Sequence, residues 1–364
     1  MPPPNEGMPP LNPGPGCVSP FEFLHPALFY VPVLLYAITL MARHRSITLP
    51  ALANPSIFAG GAVGERKSDV FDLAGPYAAQ FIAPNTTVLA QEERAQTFQA
   101  CLEALKANDL GFPIVAKPDS GLRGAGVRPI NCEDELRAYV NDFPVGQNIM
   151  LQKKVEHAGE VGVFYIRHPT EERGKIFSLT LKYTATIIGD GQKTIEELID
   201  DCPRCRRMEG VYKERHAAVL NNVLKKDQVF PLNFAGSHAR GSIFRNGQAY
   251  ICDQLTDVFD GIAKDIDELY FARFDVRFKS LEALKQGRDF SIVEVNGVGA
   301  EATHIWDCDM GVKEAYQTLA AQWRHAFSIG AANKNRQHSL PGLWKILKIW
   351  AAEVSRADDY PLAH

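Results

Sequence analysis

The 364-residue sequence has no strong excess of charge, and its formal net charge is −4. A chain with this balance has no general electrostatic attraction for nucleic acid, so anion binding would depend on local clusters of basic residues. The sequence also lacks a cleavable signal pattern and an uninterrupted apolar run of the ~20 residues that a spanning helix needs. Its 46% hydrophobic and 23% charged residues are typical of a globular protein with two or three structural units.

Cysteine is sparse, and its seven positions are odd in number and scattered along the chain. The Cys202-Pro203-Arg204-Cys205 motif has no second cysteine pair or histidine pair at zinc-finger spacing. We therefore favour a structural pair near a helix end over a zinc or redox site. The scatter of cysteines is typical of a reducing compartment, so we expect a cytoplasmic protein.

The common nucleotide-binding motifs are incomplete. Gly121 and Gly126 have the spacing of a P-loop, but Val127-Arg128 stands where Lys-Ser/Thr is required, and the pattern that follows is that of a strand rather than a helix. The Rossmann pattern fails as well. These absences exclude the two most frequent phosphate-binding loops.

A glycine-rich turn remains at residues 119–127, between predicted strands at 112–118 and 127–130. Glycines let backbone N–H groups close on phosphate oxygens, and Lys117 and Arg123 add positive charge. The turn therefore predicts an anion site.

Two further predicted strands, 271–278 and 290–296, carry polar residues at alternate positions within apolar sequence. The polar residues that share a face of each strand are Arg273, Asp275, Arg277, Glu294 and Asn296. If the strands pair, two carboxylates and an amide oxygen converge near an arginine, which suits a hard cation such as Mg²⁺ that also carries phosphate oxygens. The alternative, a solvated sheet face, is disfavoured because arginine and aspartate in so apolar a segment need partners.

Other segments have clear periodicity. The patterns predict helices at 91–110, 133–140 and 315–327, a strand–bend–strand at 149–167, one alternating strand at 176–188, and a capping box at Thr194 that opens a short helix. On the 176–188 strand, Lys182 shares the polar face that we expect to line a cleft.

The order of these parts resembles the ATP-grasp superfamily over roughly residues 110–305. The resemblance implies an α+β ATP-grasp fold in which two lobes grip ATP, here with a divergent apolar N-terminal region and a C-terminal helical tail. The run 188–199 is similar to one in cyanophycin synthetases and in the ATP-grasp part of glutathione-forming ligases. This similarity points to the carboxylate–amine ligase branch.

The resemblance also implies roles for individual residues. The nucleotide-binding residues would be Lys117, Ser120, Gly121, Arg123, Gly124, Gly126, Gln152, Lys153, Val155 and Glu160. Among them, Glu160 would bind the ribose, and Gln152 departs from the glutamate that is frequent there. The metal ligands would be Asp275, Glu294 and Asn296, and Arg273 would stabilise charge on the transferred phosphoryl group.

Substrate-side candidates are Lys182, on the polar face of the 176–188 strand, and residues in two further stretches. His238 and Arg240, between glycines, could clamp a carboxylate or acyl phosphate, although an exposed basic turn explains them too. Beyond the metal strand, Glu301 is a candidate for binding the amine, and His304 is a candidate acid or base or, alternatively, a structural hydrogen-bonding residue. Glycines beside Arg66 and Lys67 could hold an anion, but a surface loop explains them equally well, and we assign no site there.

The predicted units differ in composition along the chain. They are a disordered Pro-rich lead at 1–18, a divergent N-terminal region at 19–88, the small lobe at 89–156, the large lobe with the metal site at 157–330, and a helical tail at 331–364. Residues 202–216 have no clean period and suit a mobile lid or inserted loop.

Two apolar segments leave membrane contact open. Residues 21–42 are interrupted by Pro26 and Pro32, so a buried helix starting near Pro32, an interfacial helix and a spanning helix all fit. Residues 341–350 place two lysines among tryptophan and aliphatic residues, which fits either docking on the core or an anionic membrane surface.

We therefore expect an ATP- and Mg²⁺-dependent ligase, with Mn²⁺ as an alternative metal, that joins a small-molecule or lipid-linked acid to an amine. The rivals are an ATP-grasp small-molecule kinase and a membrane-associated nucleotide-binding protein without ligase activity. The expected location is the cytoplasm, with peripheral attachment at the inner membrane face included. The oligomeric state stays open, a homodimer included.

Overall fold

The computed structural model describes residues 3–12, 14, 16–120, 124–336, 338–356, 359–361 and 363. Its α-helices are α1 (Pro26–His44), α2 (Lys67–Asp72), α3 (Pro76–Ala79), α4 (Arg94–Ala107), α5 (Glu133–Asp142), α6 (Ile195–Asp201), α7 (Pro203–Arg207), α8 (Glu209–Arg215), α9 (Asp253–Lys264), α10 (Leu281–Lys285), α11 (Val312–Lys334) and α12 (Leu343–Arg356). Its strands are β1 (Asn85–Leu89), β2 (Ile114–Pro118), β3 (Arg128–Ile130), β4 (Asn148–Lys153), β5 (Gly159–Ile166), β6 (Lys175–Tyr183), β7 (Thr186–Ile188), β8 (Val229–Pro231), β9 (Ile243–Asn246), β10 (Phe271–Phe278) and β11 (Phe290–Asn296).

The small lobe is a four-stranded antiparallel sheet in the order β1-β4-β2-β3. Helices α4 and α5 cover it, because Phe98 and Leu105 of the first and Tyr139 of the second pack into one apolar core with strand residues such as Leu151. The sheet begins at Asn85, within the region predicted to precede this lobe. The predicted helices and strands of this lobe are present, with shifts of a few residues at their ends.

The large lobe is a five-stranded antiparallel sheet in the order β11-β10-β5-β6-β9. Helix α9 packs on it through Leu255 and Phe259, which join the largest apolar core with Val163 and Phe274. Strands β10 and β11 are adjacent and antiparallel, as the sequence predicts. The predicted single strand at 176–188 is instead two strands, because β7 leaves the large sheet and pairs with β8.

The N-terminal region contributes helices and short 3-10 turns, and its described residues form no strand before β1. Asn54, which is fully buried, fixes this region to the large lobe. Its side-chain amide donates to the carbonyls of Gly60 and Phe271, and its oxygen accepts from the N–H groups of Tyr270 and Phe271. A single side chain thus ties the region to the start of β10.

Two segments differ from their predicted disorder or mobility. In the Pro-rich lead, the Asn5 side chain bonds both backbone groups of Thr184, and Met8 and Leu11 pack on the large-lobe core. The described residues of the lead, which the sequence predicts to be disordered, thus have polar and apolar partners on the large lobe. Residues 202–216, predicted as a mobile lid or an inserted loop, contain α7 and α8, with Arg204, Cys205 and Tyr212 buried.

One helix of the described chain, α1, has the length and apolar composition to span a membrane. It begins at Pro26 rather than near Pro32, and Pro32 lies inside it. One face of α1 is buried, through Phe29, Val33, Ala37 and Leu40, and the helix docks on α11.

A disulfide joins Cys17 to Cys308, which are 291 positions apart. The other five cysteines are free. The bond ties the segment before α1 to the loop that follows β11. This pairing was not part of the sequence prediction.

Arg204 is buried with Glu22 in an ion pair whose Nη2–Oε1 distance is 2.5 Å, and it also donates to the carbonyls of Gly241 and Ser242. We expect Arg204→Met to lower the free energy of unfolding by ~3–5 kcal/mol, because Glu22 loses its buried cation. Urea denaturation measures this loss. Glu22→Gln added to Arg204→Met should recover part of it.

The matched control is Lys193→Met. It removes the ion pair between Lys193 and Asp201, and both of these side chains are about half exposed. We expect a much smaller loss there, because water screens exposed pairs. Equal losses for the two variants would contradict the role given to Arg204.

Candidate active site

The register of β10 and β11 brings the predicted metal ligands together. Asp275 lies opposite Glu294, and Arg273 lies opposite Asn296. Directly opposed residues of an antiparallel pair share a sheet face and have neighbouring side chains. The predicted convergence of the three oxygen-bearing side chains therefore rests on backbone pairing.

Asp275 is buried between two cations. Its Oδ1 lies 2.9 Å from Lys182 Nζ and 2.8 Å from Arg273 Nε, and its Oδ2 accepts from Arg273 Nη2. Burial alone would raise the pKa of Asp275, but the charges of Arg273 and Lys182 outweigh it and hold the pKa well below its usual value. The carboxylate is thus ionised at neutral pH.

Glu160 extends this ionic cluster along the next strand. Its Oε2 lies 2.8 Å from Arg277 Nη2, its Oε1 lies 3.4 Å from Lys182 Nζ, and the residue is 6% exposed. Lys182 therefore bridges Glu160 and Asp275, and it lies in the cluster as its position on β6 predicts. The predicted ribose role of Glu160 stays a prediction.

Lys117 connects the two lobes. Its ammonium donates to Gln152 Oε1 at 2.8 Å within the small lobe and to the Val293 carbonyl at 2.9 Å on β11 of the large lobe. Burial lowers the pKa of Lys117 to about 8, although the negative charge of Glu294 opposes that shift. Lys117, the predicted phosphate-binding lysine, thus contacts β11, the strand that carries the predicted metal ligands Glu294 and Asn296.

Two charged residues of the N-terminal region, Glu65 and Lys67, lie next to Glu294. Lys67 Nζ is 3.3 Å from Glu294 Oε1. Glu65 Oε2 accepts from the N–H of Gly297, and burial raises the pKa of Glu65 to about 8. The sequence signal was only a glycine-rich stretch followed by charged residues, which does not say where the stretch docks.

The residues fit a hard divalent cation. Asp275 and Glu294 supply carboxylate oxygens, and Asn296 supplies an amide. The Nδ2 atom of Asn296 is buried and has no hydrogen-bond partner within the described part of the chain, and the oxygen of this amide is the atom that would bind a cation. Burial opposes ionisation of Glu294, but the charges of Lys67, Lys117 and Arg273 together lower its pKa, so both carboxylates carry charge.

The glycine-rich turn approaches the large lobe. A Cβ added at Gly124 would lie 3.4 Å from Ser237 Cβ and 3.7 Å from Arg240 Cγ, so this glycine faces the turn that carries the predicted clamp. Gly126 has a positive φ of 67°. Gly121 and Arg123, two of the predicted nucleotide-binding residues, lie outside the described residues.

The C-terminal helix covers the start of this turn. Glu353 Oε1 accepts from Ser120 Oγ at 3.2 Å and from the N–H of Gly64 at 3.0 Å, and Tyr360 donates to the Ser120 carbonyl. Ser120 is thus held by the tail predicted to be a separate helical unit.

The predicted hinge between the lobes is the connection from β4 to β5. Gln152 is 2% exposed and donates to the Ala83 carbonyl in addition to accepting from Lys117. The Lys153 N–H donates to the Pro84 carbonyl, and Val155 is half-buried in the connection. The adenine contacts assigned to these residues stay predictions.

A second set of polar contacts surrounds Glu301, in the loop that follows β11. Glu301 accepts from the Tyr30 hydroxyl at 2.8 Å and from Trp306 Nε1 at 2.9 Å, and its backbone carbonyl accepts from Arg273. Burial raises the pKa of Glu301 against these hydrogen bonds and the Arg273 charge. Glu301 therefore adjoins the ionic cluster through Arg273.

His238 and His304 have different surroundings. His238 Nε2 lies 2.8 Å from Glu22 Oε1, and its ring stacks on Trp306 next to Glu301. His304 is 1% exposed, and burial lowers its pKa to about 4, so its ring is neutral at neutral pH. His238 therefore contacts Trp306, which donates to Glu301, whereas His304 is buried in the core nearby.

Backbone from the N-terminal region closes the end of β11. The N–H groups of Val298 and Gly299 donate to the carbonyls of Gly60 and Gly61. A Cβ at Gly297 would lie 2.3 Å from the Gly60 carbonyl oxygen, so only glycine fits this approach. The region beyond Asn296 is thus walled by residues that precede the small lobe.

We expect Glu294→Gln to weaken binding of Mn²⁺ in the presence of ADP by at least about tenfold, because a ligand carboxylate is lost. Electron paramagnetic resonance of free Mn²⁺ measures this binding. Asp309→Asn is the control. Asp309 lies beside Asp307 and Cys308 in a second cluster of possible metal ligands, but the sulfur of Cys308 is bonded to Cys17. If Asp309→Asn weakens Mn²⁺ binding and Glu294→Gln does not, Glu294 is not a metal ligand.

No protein-family model and no curated protein sequence matches the chain. Among solved structures, it is similar to a D-alanine–D-alanine ligase from Bacillus anthracis, with 14% identity over 80% of this chain and 72% of that one and a TM-score of 0.44. It is similar to the D-alanine-D-alanine ligase from Coxiella burnetii, with 10% identity over 84% and 64% of the two chains and a TM-score of 0.40.

A third match is a bifunctional glutathione synthetase from Pasteurella multocida, with 13% identity over 71% of this chain and a TM-score of 0.35. The chain spans 35% of that protein. The chain itself has a two-lobed α+β architecture, with an antiparallel sheet in each lobe, a glycine-rich turn between β2 and β3 and polar side chains on β10 and β11.

Proposed function

We propose that the chain is an ADP-forming ligase that activates a carboxylate with Mg²⁺-ATP and joins it to an amine. The observation that supports this most is the meeting of Lys117, from the small lobe, with β11 of the large lobe, next to Glu294. Phosphate-binding and metal-binding groups from two lobes are then adjacent, which a phosphoryl-transfer site requires.

Each residue has a proposed role that follows from its position. Lys117 and the N–H groups of the glycine-rich turn bind and orient the phosphates, and Arg273 stabilises charge on the transferred phosphoryl group. Asp275, Glu294 and Asn296 would hold Mg²⁺, which supplies neutralisation of charge on the phosphate oxygens when bound.

The proposed reaction has two steps. A carboxylate oxygen attacks the terminal phosphorus of ATP, so that a new P–O bond forms as the bond to ADP breaks. The amine nitrogen then attacks the acyl carbon, phosphate leaves with its bridging oxygen, and the amine proton passes to a base. His238, Arg240, Glu301 and His304 are the candidates on the substrate side.

Glu65 and Tyr30 add to this substrate side from the N-terminal region. Glu65 contacts the backbone just past Asn296, and Tyr30 holds Glu301. We infer that this region, rather than a lobe of parallel strands, selects the acid and the amine.

Hydroxylamine tests the reaction without knowledge of the natural amine. With ATP and a panel of carboxylic acids, lipid-linked ones included, we expect ADP and a hydroxamate in equal amounts, because hydroxylamine traps an acyl phosphate. ADP with a stable phosphorylated alcohol and no hydroxamate would indicate a kinase. No ADP with any acid, alcohol or amine in the panel would contradict both.

We expect Asp275→Asn and Glu294→Gln each to lower ADP formation at least about a hundredfold, the scale of losing one electrostatic group at a transition state. The matched control is Glu172→Gln, at an exposed carboxylate in the loop between β5 and β6. Circular dichroism should be unchanged in all three. Full activity of Glu294→Gln would contradict the phosphoryl-transfer site.

A further inference from the structure

Helix α1 has an apolar outer face that no described residue covers. Its inner face packs on α11, whereas the opposite face exposes five aliphatic side chains at helical spacing: Leu28 (69%), Val31 (49%), Leu34 (56%), Leu35 (60%) and Ile38 (50%). The helix contains no acidic residue. Soluble helices normally place polar residues on the face that points to water.

Helix α12 has a second such face. Trp344, Leu347, Trp350 and Val354 are 83%, 42%, 52% and 46% exposed. Glu353, the acidic residue of this helix, points the other way, because it accepts hydrogen bonds from Gly64 and Ser120. The outer face of α12 therefore carries tryptophan and aliphatic side chains without an acid.

The segment that leads into α12 packs close to the C-terminal part of α1. Leu340, just before α12, packs against the cluster that contains Leu40 of α1, Leu49 and Phe327. Arg43 and Arg45 are exposed at the end of α1, and Lys345 and Lys348 are exposed on α12. Exposed basic residues thus accompany both apolar faces, at the C-terminal end of α1 and along α12.

We propose that these faces form one lipid-docking surface, made of Leu28, Val31, Leu34, Leu35, Ile38, Trp344, Leu347, Trp350 and Val354, that binds an anionic bilayer. Aliphatic side chains enter the acyl boundary, tryptophan favours the headgroup level, and Lys and Arg attract anionic lipid. Because α1 keeps its inner face on α11, it lies along the membrane surface rather than across it.

The charge pattern favours a bilayer over a protein partner. A partner protein would need an apolar patch bordered by acids in a matching shape, whereas an anionic bilayer offers negative charge around any apolar surface. The proposal does not depend on the ligase reaction, since vesicle binding requires no turnover. Its failure is therefore distinguishable from failure of the proposed function.

Vesicle flotation tests the proposal with the full chain. We expect it to bind vesicles of phosphatidylcholine and phosphatidylglycerol in equal parts, and to bind phosphatidylcholine alone at least about tenfold more weakly. Leu35→Glu and Trp344→Glu should each weaken binding to the mixed vesicles at least about tenfold, because a carboxylate would have to enter the apolar boundary.

The matched control is Ile188→Glu, at a side chain that is 59% exposed on β7, away from both helices. It should bind as the unchanged chain does. Absence of binding to either vesicle, or equal binding by Leu35→Glu, Trp344→Glu and Ile188→Glu, would overturn the proposal. So would a concentration-dependent dimer in sedimentation that Leu35→Glu dissociates, without vesicle binding, since a second copy would then cover the surface.

Discussion

The buried ionic cluster between the lobes is the constraint on which the rest of the structure depends. Charged side chains are taken out of water only where opposite charges or hydrogen bonds compensate them. Here Lys117 reaches from β2 to the backbone of β11, Lys182 bridges Glu160 and Asp275, and Lys67 neutralises Glu294. The antiparallel sheets fix these side chains in place, and the N-terminal region closes the cluster from outside.

The parts predictable from the sequence are those with a local period. Alternation along 271–278 and 290–296 indicated both strands and the face that Asp275 and Glu294 share, and the capping box at Thr194 indicated the start of α6. Residues 176–188 show the limit of this reasoning. Alternation describes each of the two strands there, but it contains no information on where the chain leaves one sheet for another.

The missed features depend on contacts between distant positions. Asn54 donates a hydrogen bond to a backbone carbonyl 217 positions away, and Lys67 forms an ion pair with Glu294. The sequence around Asn54 or Lys67 has no pattern that indicates these partners. The short helices and 3-10 turns before β1 have too few residues for a measurable period. The Cys17–Cys308 disulfide is similar, since the pairing of scattered cysteines is not encoded in their spacing.

The central claim is that phosphate and metal are held together between Lys117 and the strands β10 and β11. The most direct test is a crystal structure with Mn²⁺ and a non-hydrolysable ATP analogue, in which anomalous scattering locates the metal. We expect a peak within metal–ligand distance of Glu294 and either Asp275 or Asn296, with the triphosphate against Lys117. A peak at Asp307 and Asp309, or a nucleotide bound away from Lys117, would contradict the account.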